Sequence, residues 1–564
     1  MKTLFINGSV INVFTDTIEK TNVLVEDEEI IGIGDYSPND ADVTVDTTGR
    51  YLCPGFIDGH IHIESTQMVP GRFAEAVLPH GTTTVIADPH EIANVCGIDG
   101  IRFMLSASHG LPMSIYFMLP SCVPAVTGEE SGAVLDADDL RPLYSDKRVL
   151  GLGEMMNFPG VVSGNDQVRR KIADACAAGK LIDGHAPLLT GRDLDKYISA
   201  KIYSDHECTS AREGKEKISK GQRVMIRQGT AAKNLLDLIE LFDEPWNRRC
   251  MLATDDLHPQ DILSRGHIDS IIREAVTLGK SPLTAIRMAT LQAAEYFGLR
   301  QLGAIAPGYQ ADILVLDSLD AVAVESVYVA GRKVASAGKI LFDIDTETSL
   351  RQFPCCLDTF HVSPLAADDF FIRPAGEICR VIKASPGSIL TEEKQLQINW
   401  AENNGVDINR DILKLAVIER HKNTNHRGLG FVTGIGLKAG AAASSIGHDN
   451  HNISVIGTND DDMALAANTV ISMKGGEVVV KDGKVLAAQP LPIAGLMSTE
   501  NVARIKDNAD EINRSLAEAM GLPLNQTVMM TMSFLSLTVI PFLKMSTTGL
   551  VDVLNQKSVP LGAE

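Results

Sequence analysis

Two histidines near residue 60 have the spacing of a metal-binding pair. His60 and His62 lie in the stretch GFIDGHIHIES, residues 55–65. Because side chains alternate between the two faces of a strand, both imidazoles point to the same side. Imidazole nitrogens are common ligands of zinc, manganese and iron. Taken alone, the stretch is equally consistent with a half-exposed surface strand.

Ionisable residues also end several later apolar runs. These residues are Glu154, His185, the triplet Asp205, His206 and Glu207, and the pair Asp255 and Asp256. Parallel strands covered on both faces normally form continuous apolar runs, and buried ionisable groups need compensation. The set therefore predicts a metal-binding cluster where the strand ends meet. For each residue alone, an ordinary buried side chain is the alternative.

Eight short apolar segments alternate with helical stretches in the middle of the chain. The predicted strands are 55–63, 82–88, 113–119, 149–154, 180–185, 200–206, 222–226 and 250–255, and helical patterns include 165–179 and 230–242. Eight such units in about 240 residues is the size of a (β/α)8 barrel, in which the C-terminal strand ends share one mouth. We therefore predict an α/β fold with a TIM-like catalytic barrel over residues 55–298.

The residues on both sides of this middle region have the sequence pattern of β-hairpins. Short strands and turns fill residues 1–54, and the same texture returns over 299–345. This predicts one small β domain built from both flanks. Residues 350–564 are predicted to form an additional C-terminal α/β domain, which contains a run of small residues before GHDNHN.

Composition excludes several classes of partner. The formal net charge of −21 argues against nucleic acid and against an anionic membrane surface. Nine cysteines without a C-x-x-C pair, and a start that lacks a signal peptide, predict a cytoplasmic protein. Residues 519–543 carry no formal charge, but their polar residues and two prolines favour a buried core segment over a membrane span. No phosphate-binding glycine motif occurs, so a nucleotide cofactor is not expected.

Several motifs resemble those of the amidohydrolase superfamily. PGFIDGHIH, GHAP, SDHE and ATDD occur in its order, and ATLQAAEYFGLRQLGAIAPGYQADILVLD leads from the barrel back to the β domain. Within this superfamily, ADPHEIANVCG, LGEMMNFPGV, IDGHAPLLTG and GHDNHNISVIGTND resemble the adenine deaminase family through nearly the whole chain. The resemblance implies hydrolytic deamination of free adenine to hypoxanthine and ammonia in purine salvage. It also implies a homo-oligomer, for which a dimer is our expectation.

The resemblance further implies a site that holds two divalent metal ions. The implied ligands are His60 and His62 for one ion, His185 and His206 for the other, Glu154 as a bridge, and Asp255 for metal and the reactive water. Mn²⁺ or Fe²⁺ is expected ahead of Zn²⁺, although all three accept such ligands. Glu154 stands where several superfamily hydrolases have a carboxylated lysine. Leu188 stands where the one-metal deaminases have the acid of an H-x-x-E motif.

Deamination at C6 requires a nucleophile, a proton for ring N1 and a protonated leaving amine. Metal ions lower the pKa of bound water, and the resulting hydroxide attacks C6. Asp255 is predicted to accept the proton of the water and pass it to the departing amino group. His90, Glu91 and Glu207 are alternative donors to N1.

Six residues are predicted to bind the substrate. They are Asp88, Arg227, Gln228, His448, Asp449 and His451. A capping carboxylate is the alternative for the first, and surface solvation for the next two. The last three follow a run of small residues and are predicted to close a loop over the barrel mouth, for substrate or an accessory metal. Their alternative is a turn tied by its own side chains.

Two other functions remain open from the sequence. A related amidohydrolase that cleaves a cyclic amide or an N-acyl group would use the same nucleophile, and a substrate screen separates it from a deaminase. A non-catalytic scaffold that has lost its metal is the second alternative, and the measured metal content decides that case.

Overall fold

Eight parallel strands lie at the centre of the computed structural model, which describes residues 1–230, 232–385, 388–401, 403–523 and 528–563. The strands are β8 (Phe56–Ile61), β9 (Thr82–Ala87), β10 (Ser114–Leu119), β11 (Val149–Met155), β12 (Leu181–Gly184), β13 (Ser204–Asp205), β14 (Arg223–Arg227) and β15 (Cys250–Ala253), after seven N-terminal strands described below. Strands β8 to β12 form one ladder and β13 to β15 another. A parallel bridge between Ile61 and Asp255 joins the first and last of them. Every predicted strand segment overlaps one of these strands, so the prediction of a TIM-like domain is confirmed.

Eleven helices accompany these strands within the described residues. They are α1 (Pro70–Val77), α2 (His90–Ala107), α3 (Ala137–Leu140), α4 (Phe158–Ser163), α5 (Asp166–Ala177), α6 (Gly191–Ser199), α7 (Ala211–Ser219), α8 (Pro259–Arg265), α9 (Ile268–Thr277), α10 (Pro282–Met288) and α11 (Leu291–Phe297). The predicted helix over 165–179 corresponds to α5. Its first turn is capped by Asn165, whose side chain accepts from two backbone N–H groups.

The predicted helix over 230–242 is wrong in the part that the structure describes. Residue 231 lies outside the described residues, and the segment that follows it forms a bridge, turns and a short 3₁₀ helix, Ile239–Phe242. Asn234 explains the difference. Its side chain accepts from the Arg227 backbone N–H and donates to the carbonyls of His206 and Cys208, so this segment braces neighbouring strand ends.

Strands from both flanks of the barrel share one sheet. The N-terminal strands are β1 (Lys2–Ile6), β2 (Ser9–Asn12), β3 (Thr17–Lys20), β4 (Asn22–Glu26), β5 (Glu29–Gly34), β6 (Val43–Asp46) and β7 (Tyr51–Pro54), and the later ones are β16 (Ile313–Ser318), β17 (Ala323–Val329), β18 (Arg332–Ser336) and β19 (Lys339–Ile340). The seven-stranded sheet has the order β19-β18-β17-β16-β7-β2-β3. Gly55 then leads from β7 into β8, and a Cβ there would lie 2.1 Å from Thr83 Oγ1. A side chain at this position would therefore collide with that of Thr83 in the next barrel strand.

The remaining part of the chain is built on an eight-stranded sheet. Its elements are α12 (Glu347–Gln352), β20 (Ile378–Lys383), β21 (Glu392–Gln397), β22 (Leu413–Ile418), β23 (Arg427–Thr433), β24 (Ala441–Ser444), β25 (Ile453–Gly457), α13 (Asp460–Ser472), β26 (Gly476–Lys481), β27 (Lys484–Pro490), α14 (Val502–Met520), α15 (Val528–Ser533), β28 (Leu543–Ser546), β29 (Gly549–Asp552) and β30 (Lys557–Ser558). The sheet order is β21-β20-β23-β22-β25-β24-β26-β27. Within the predicted core segment 519–543, residues 528–538 are buried, whereas 524–527 lie outside the described residues. Among the helices that the structure describes, none has the length and apolar character that a membrane crossing requires.

The C-terminal region packs directly against the barrel. Its residues Ile446, Leu491, Ile493 and Met497 belong to the same buried apolar cluster as the barrel core. Burying apolar surface in this continuous core stabilises the association of the two parts. As a result, the loop between β24 and β25 lies at the mouth of the barrel, where the polar strand ends meet.

Candidate active site

The first and last barrel strands hold one half of the site. Asp58 Oδ1 accepts from the backbone N–H groups of His60, at 3.2 Å, and Thr254, at 3.1 Å, and Oδ2 accepts from Thr254 Oγ1 at 2.5 Å. The Asp255 N–H donates to the His60 carbonyl at 2.9 Å. Asp58 therefore connects the end of β8 to the end of β15 through hydrogen bonds. It places His60, His62 and Asp255 side by side.

Glu154, at the end of β11, lies between two groups of histidines. Its Oε1 is 3.2 Å from His62 Nε2 and 4.0 Å from His60 Nε2. Its Oε2 is 2.7 Å from His185 Nδ1 and 3.2 Å from His206 Nε2. Each oxygen of this one carboxylate thus faces a different histidine pair, which is the geometry that a bridging ligand requires.

The surroundings set the charge states of these groups. Burial alone would raise the pKa of Glu154, but hydrogen bonds from His185, His206 and His62 hold it well below its usual range. Burial also opposes ionisation of Asp255, yet the Arg227 guanidinium keeps the pKa of that carboxyl well below its usual range. Burial lowers the pKa of His60 well below its ordinary value. Burial also opposes the charged form of His185, yet the Glu207 and Glu154 carboxylates raise the pKa of that imidazole to about 9.

The donor set fits divalent metal ions. His60, His62 and Asp255 offer three ligand atoms within 4.8 Å of one another, and His185, His206 and Glu207 offer three more. His60 Nε2 is buried without a hydrogen-bond partner, which is costly unless a cation binds there. Mixed imidazole and carboxylate ligands suit manganese, iron and zinc.

Two residues after β9 support this centre. Asp88 accepts from His62 Nδ1 through its carbonyl, at 2.9 Å, and from the Glu154 N–H through Oδ2, at 3.0 Å. These contacts orient two of the expected ligands. His90 Nδ1 lies 3.3 Å from Glu154 Oε1, so His90 is within the metal-binding group as well. The sequence had placed it only among possible proton donors.

Arg227 ties together two carboxylates of the site. Its Nη1 is 2.6 Å from Glu207 Oε1 and also contacts Asp255 Oδ2. The neighbouring Gln228 points elsewhere, because its Nε2 donates to both carboxylate oxygens of Glu274 at 2.9 Å. Of the two residues predicted to bind substrate here, Arg227 lines the cavity described below, and Gln228 contacts Glu274 instead.

The loop between β24 and β25 enters the barrel mouth. His448 Nδ1 and His451 Nε2 each form a hydrogen bond with a different oxygen of Glu91. Asp449 Oδ1 lies 3.6 Å from His90 Nε2. The predicted closing loop is therefore in contact with residues of α2. It is also tied within itself, because the Gly447 N–H donates to His451 Nδ1 and the Asn452 N–H donates to Asn450 Oδ1.

A cavity opens beside these groups. Its inner part, of about 50 Å³, reaches His62, Glu154 and Asp255, and its outer part is about 900 Å³. One wall of the inner part comes from the C-terminal region and consists of Ile389, Phe534, Leu537 and Ile540. Phe534 also stacks on His448, with ring centroids 4.6 Å apart. Sequence reasoning missed this wall because apolar residues in an uncharged segment look like ordinary core.

Both regions that build the cavity match known protein families. Residues 51–334 match the amidohydrolase family, and residues 388–557 match the adenine deaminase C-terminal domain. A protein of Kosmotoga olearia named adenine deaminase is 44% identical over 98% of this chain and 95% of its own length. This chain belongs to the adenine deaminase family. A second member, from Thermosipho africanus, is 43% identical over 99% of this chain and 96% of its own length.

Membership in the adenine deaminase family explains why two regions of the chain supply the residues of the site. The amidohydrolase region supplies the polar strand ends, which include His60, Glu154 and Asp255. The adenine deaminase C-terminal domain supplies the apolar wall, within the matched residues 388–557, and the loop that carries His448. The chain is thus a hydrolase of the amidohydrolase family whose cavity depends on both regions.

Proposed function

We propose that this chain hydrolytically deaminates free adenine to hypoxanthine and ammonia, with two divalent metal ions. The observation that carries the proposal is the division of the Glu154 carboxylate, whose two oxygens face two separate histidine pairs. This carboxylate lies beside a cavity completed by the adenine deaminase C-terminal domain.

The expected ligands would hold the ions in two halves. His60 and His62 would hold one, His185 and His206 the other, with Glu154 shared and Asp255 beside the first pair. The chemistry that Mn²⁺, Fe²⁺ or Zn²⁺ supplies in such a site is activation of water for attack near neutral pH. Two ionised carboxylates, Glu154 and Asp255, lie here against one guanidinium, that of Arg227, so the local charge also favours cations.

Asp255 is the group that we assign to proton transfer. Its Oδ1 lies 3.3 Å from His62 Nε2, whereas Oδ2 is held by Arg227. Being ionised, it can accept a proton from the attacking water and deliver it to the departing amino group. Arg227 would orient the carboxylate for both steps and hold it in its ionised form.

Glu207 is our choice of donor to ring N1; it would enter the reaction protonated, and the hydroxyl of the C6 adduct would return the proton to it as the carbonyl of hypoxanthine forms. Its carboxylate lines both the inner and the outer part of the cavity, and Arg227 holds it in place. Both oxygens of Glu91 already form hydrogen bonds with histidines of the C-terminal domain. His90 lies against Glu154, which fits a ligand better than a proton donor.

The apolar wall would bind the planar base and exclude water. Phe534, Leu537 and Ile540 present apolar surface toward the polar strand ends. His448 and Asp449, at the edge of this wall, would hydrogen-bond to the polar edge of the purine. A base enclosed in this way reacts in a less polar environment, where charged groups act more strongly.

We also infer the division of the chain from these contacts. The proposal is a catalytic barrel over 55–298, a small β domain from 1–54 plus 299–345, and a C-terminal domain over 350–564. The shared seven-stranded sheet and the matched C-terminal family support it. Limited proteolysis at the predicted boundaries tests this division.

A substrate panel tests the proposed reaction. Metal-loaded protein is incubated with adenine, adenosine and cytosine, and ammonia release is measured for each. We expect release from adenine at a kcat/KM at least about tenfold above the other two. Turnover of adenosine but not adenine contradicts the proposed substrate.

The same protein separates the alternative functions. Hydrolysis of a cyclic amide or an N-acyl amino acid, without ammonia from adenine, would identify a different amidohydrolase. Protein without stoichiometric metal after reconstitution with Mn²⁺ or Fe²⁺ would identify a scaffold.

A further inference from the structure

A fully buried lysine lies behind the second histidine pair. Lys217, in α7, is 0% exposed. Its Nζ donates to the Ala186 carbonyl and to Glu213 Oε1, each at 2.8 Å, and lies 3.1 Å from Asp205 Oδ1. An ammonium group has three N–H donors, so these three acceptors use all of them. Nothing in the proposed reaction uses this cation.

Asp205, one of the partners of Lys217, forms hydrogen bonds with the backbone directly after each of the two histidines of this pair. Asp205 Oδ2 accepts from the Ala186 N–H at 2.9 Å, and Oδ1 accepts from the Glu207 N–H at 2.8 Å. Ala186 follows His185 directly, and Glu207 follows His206. A single carboxylate therefore sets the spacing between the backbone positions next to two expected ligands.

The other partner binds the same two loops further from the strands. Glu213 Oε1 accepts from the Leu188 N–H at 2.8 Å. Its Oε2 accepts from the Thr209 N–H at 2.9 Å and from Thr209 Oγ1 at 3.1 Å. The loops after β12 and β13 are thus tied twice, and both ties end at Lys217.

We propose that Lys217 is a positioning residue that holds the His185 and His206 half of the site in its metal-binding geometry. Two carboxylates buried side by side repel each other and are costly to keep ionised. The ammonium group bonds to both and compensates for part of their charge. Without it, the two carboxylates would move apart and release the loops that they hold.

The other half of the site has separate supports. His60 and Asp255 are held by Asp58 and by the bridge between β8 and β15, and neither of these supports contacts Lys217. The role of Lys217 therefore predicts an asymmetric effect, in which one of two ions is lost and the other stays. It rests on the proposed two-ion function.

The test compares Lys217→Met with a matched buried lysine. Lys414 is 2% exposed and donates to the Phe370 carbonyl and Asp460 Oδ1 in the C-terminal region, so Lys414→Met is the control. Metal-free protein is titrated with Mn²⁺, and free Mn²⁺ is followed by electron paramagnetic resonance. In Lys217→Met we expect one ion to bind about 10- to 100-fold more weakly and the other as in wild type. The control should bind both ions normally.

Other outcomes overturn the proposal. Wild-type affinity for both ions in Lys217→Met shows that the lysine has no positioning role, and equal weakening of both shows a general structural one. If circular dichroism shows that Lys217→Met is unfolded, Glu213→Gln decides, because in either orientation its amide N–H would face a backbone N–H, that of Thr209 or that of Leu188. Glu213→Gln should show a smaller loss of the same single ion, and normal binding of both would contradict the proposal.

The readout needs no substrate. Selective loss of one ion in Lys217→Met, together with wild-type protein that binds both ions but releases no ammonia from adenine, would contradict the proposed function and leave the role of Lys217 intact. A wild type that binds a single ion would overturn both.

Discussion

At the scale of single residues, the site depends on how one carboxylate is shared. Glu154 contacts His62 through one oxygen and His185 through the other, and these contacts keep it ionised in a buried position. The sequence predicted this residue from its place at a strand end. It could not predict that His90 approaches Glu154 Oε1, the oxygen that also contacts His62, because that contact depends on how α2 follows β9.

The Glu154→Gln variant should lose the arrangement in which one carboxylate serves both histidine pairs. The amide keeps the shape but loses the charge, and one of its ends becomes a poor metal ligand. We expect bound metal to fall below one ion per chain and kcat to fall on the order of a thousandfold. Elemental analysis and ammonia release measure the two effects. The control is Glu477→Gln, at another buried glutamate, and this variant should bind as much metal as wild type.

His448→Ala tests the contact between the C-terminal loop and α2. It removes one of the two hydrogen bonds to Glu91 and the ring on which Phe534 stacks. A hydrogen bond to a charged group contributes about 1.5–3 kcal/mol, so kcat/KM should fall about 10- to 100-fold. Metal content should not change. Undiminished turnover would show that the loop has no part in the site, and His426→Ala, at an exposed histidine, is the control.

At the scale of elements, the sequence predicted the polar ends of the strands but not the hydrogen bonds that join neighbouring strand ends. Alternating side chains and apolar runs located all eight central strands and the polar residues at their ends. The segment after β14 was predicted as a helix because its spacing is helical, yet Asn234 bonds to three backbone groups of neighbouring segments. Contacts of this kind join residues far apart in sequence, so local periodicity carries no sign of them.

A loop between β10 and α3 gives a prediction about pH. Glu129 Oε1 accepts from Asn450 Nδ2 at 2.9 Å and from Thr538 Oγ1 at 3.2 Å, whereas Oε2 is buried without a partner. Burial raises the pKa of Glu129 from 4.5 to about 7. Because the folded state then binds more protons than the unfolded one, stability should fall as the pH rises from about 4.5 to about 7.

Glu129→Gln removes that penalty. Above pH 7 the variant should be more stable than wild type by about 3 kcal/mol, and near pH 5 by less than about 1 kcal/mol. Thermal unfolding of both proteins at pH 5 and pH 8.5 checks this. Asn450→Ala removes a donor to the ionised carboxylate and should shift stability the other way at pH 8.5. Equal shifts of Glu129→Gln at both pH values would contradict the buried charge.

At the scale of the whole molecule, the cavity belongs to two matched regions at once. The barrel supplies the polar strand ends, and the C-terminal domain supplies Phe534, Leu537 and Ile540 as one wall. The sequence predicted that the two would meet, through the loop that carries His448. It did not predict the apolar wall, because a buried apolar side chain facing a cavity has the same composition as one in a core.

The most direct test of the central claim follows adenine turnover while metal is returned to the protein. Metal-free protein is titrated with Mn²⁺ in the presence of adenine, and ammonia and hypoxanthine are measured at each addition. The shared Glu154 carboxylate predicts equal amounts of both products and a rate that reaches its plateau at two metal ions per chain. Full activity at one ion per chain, or in the absence of metal, would contradict it.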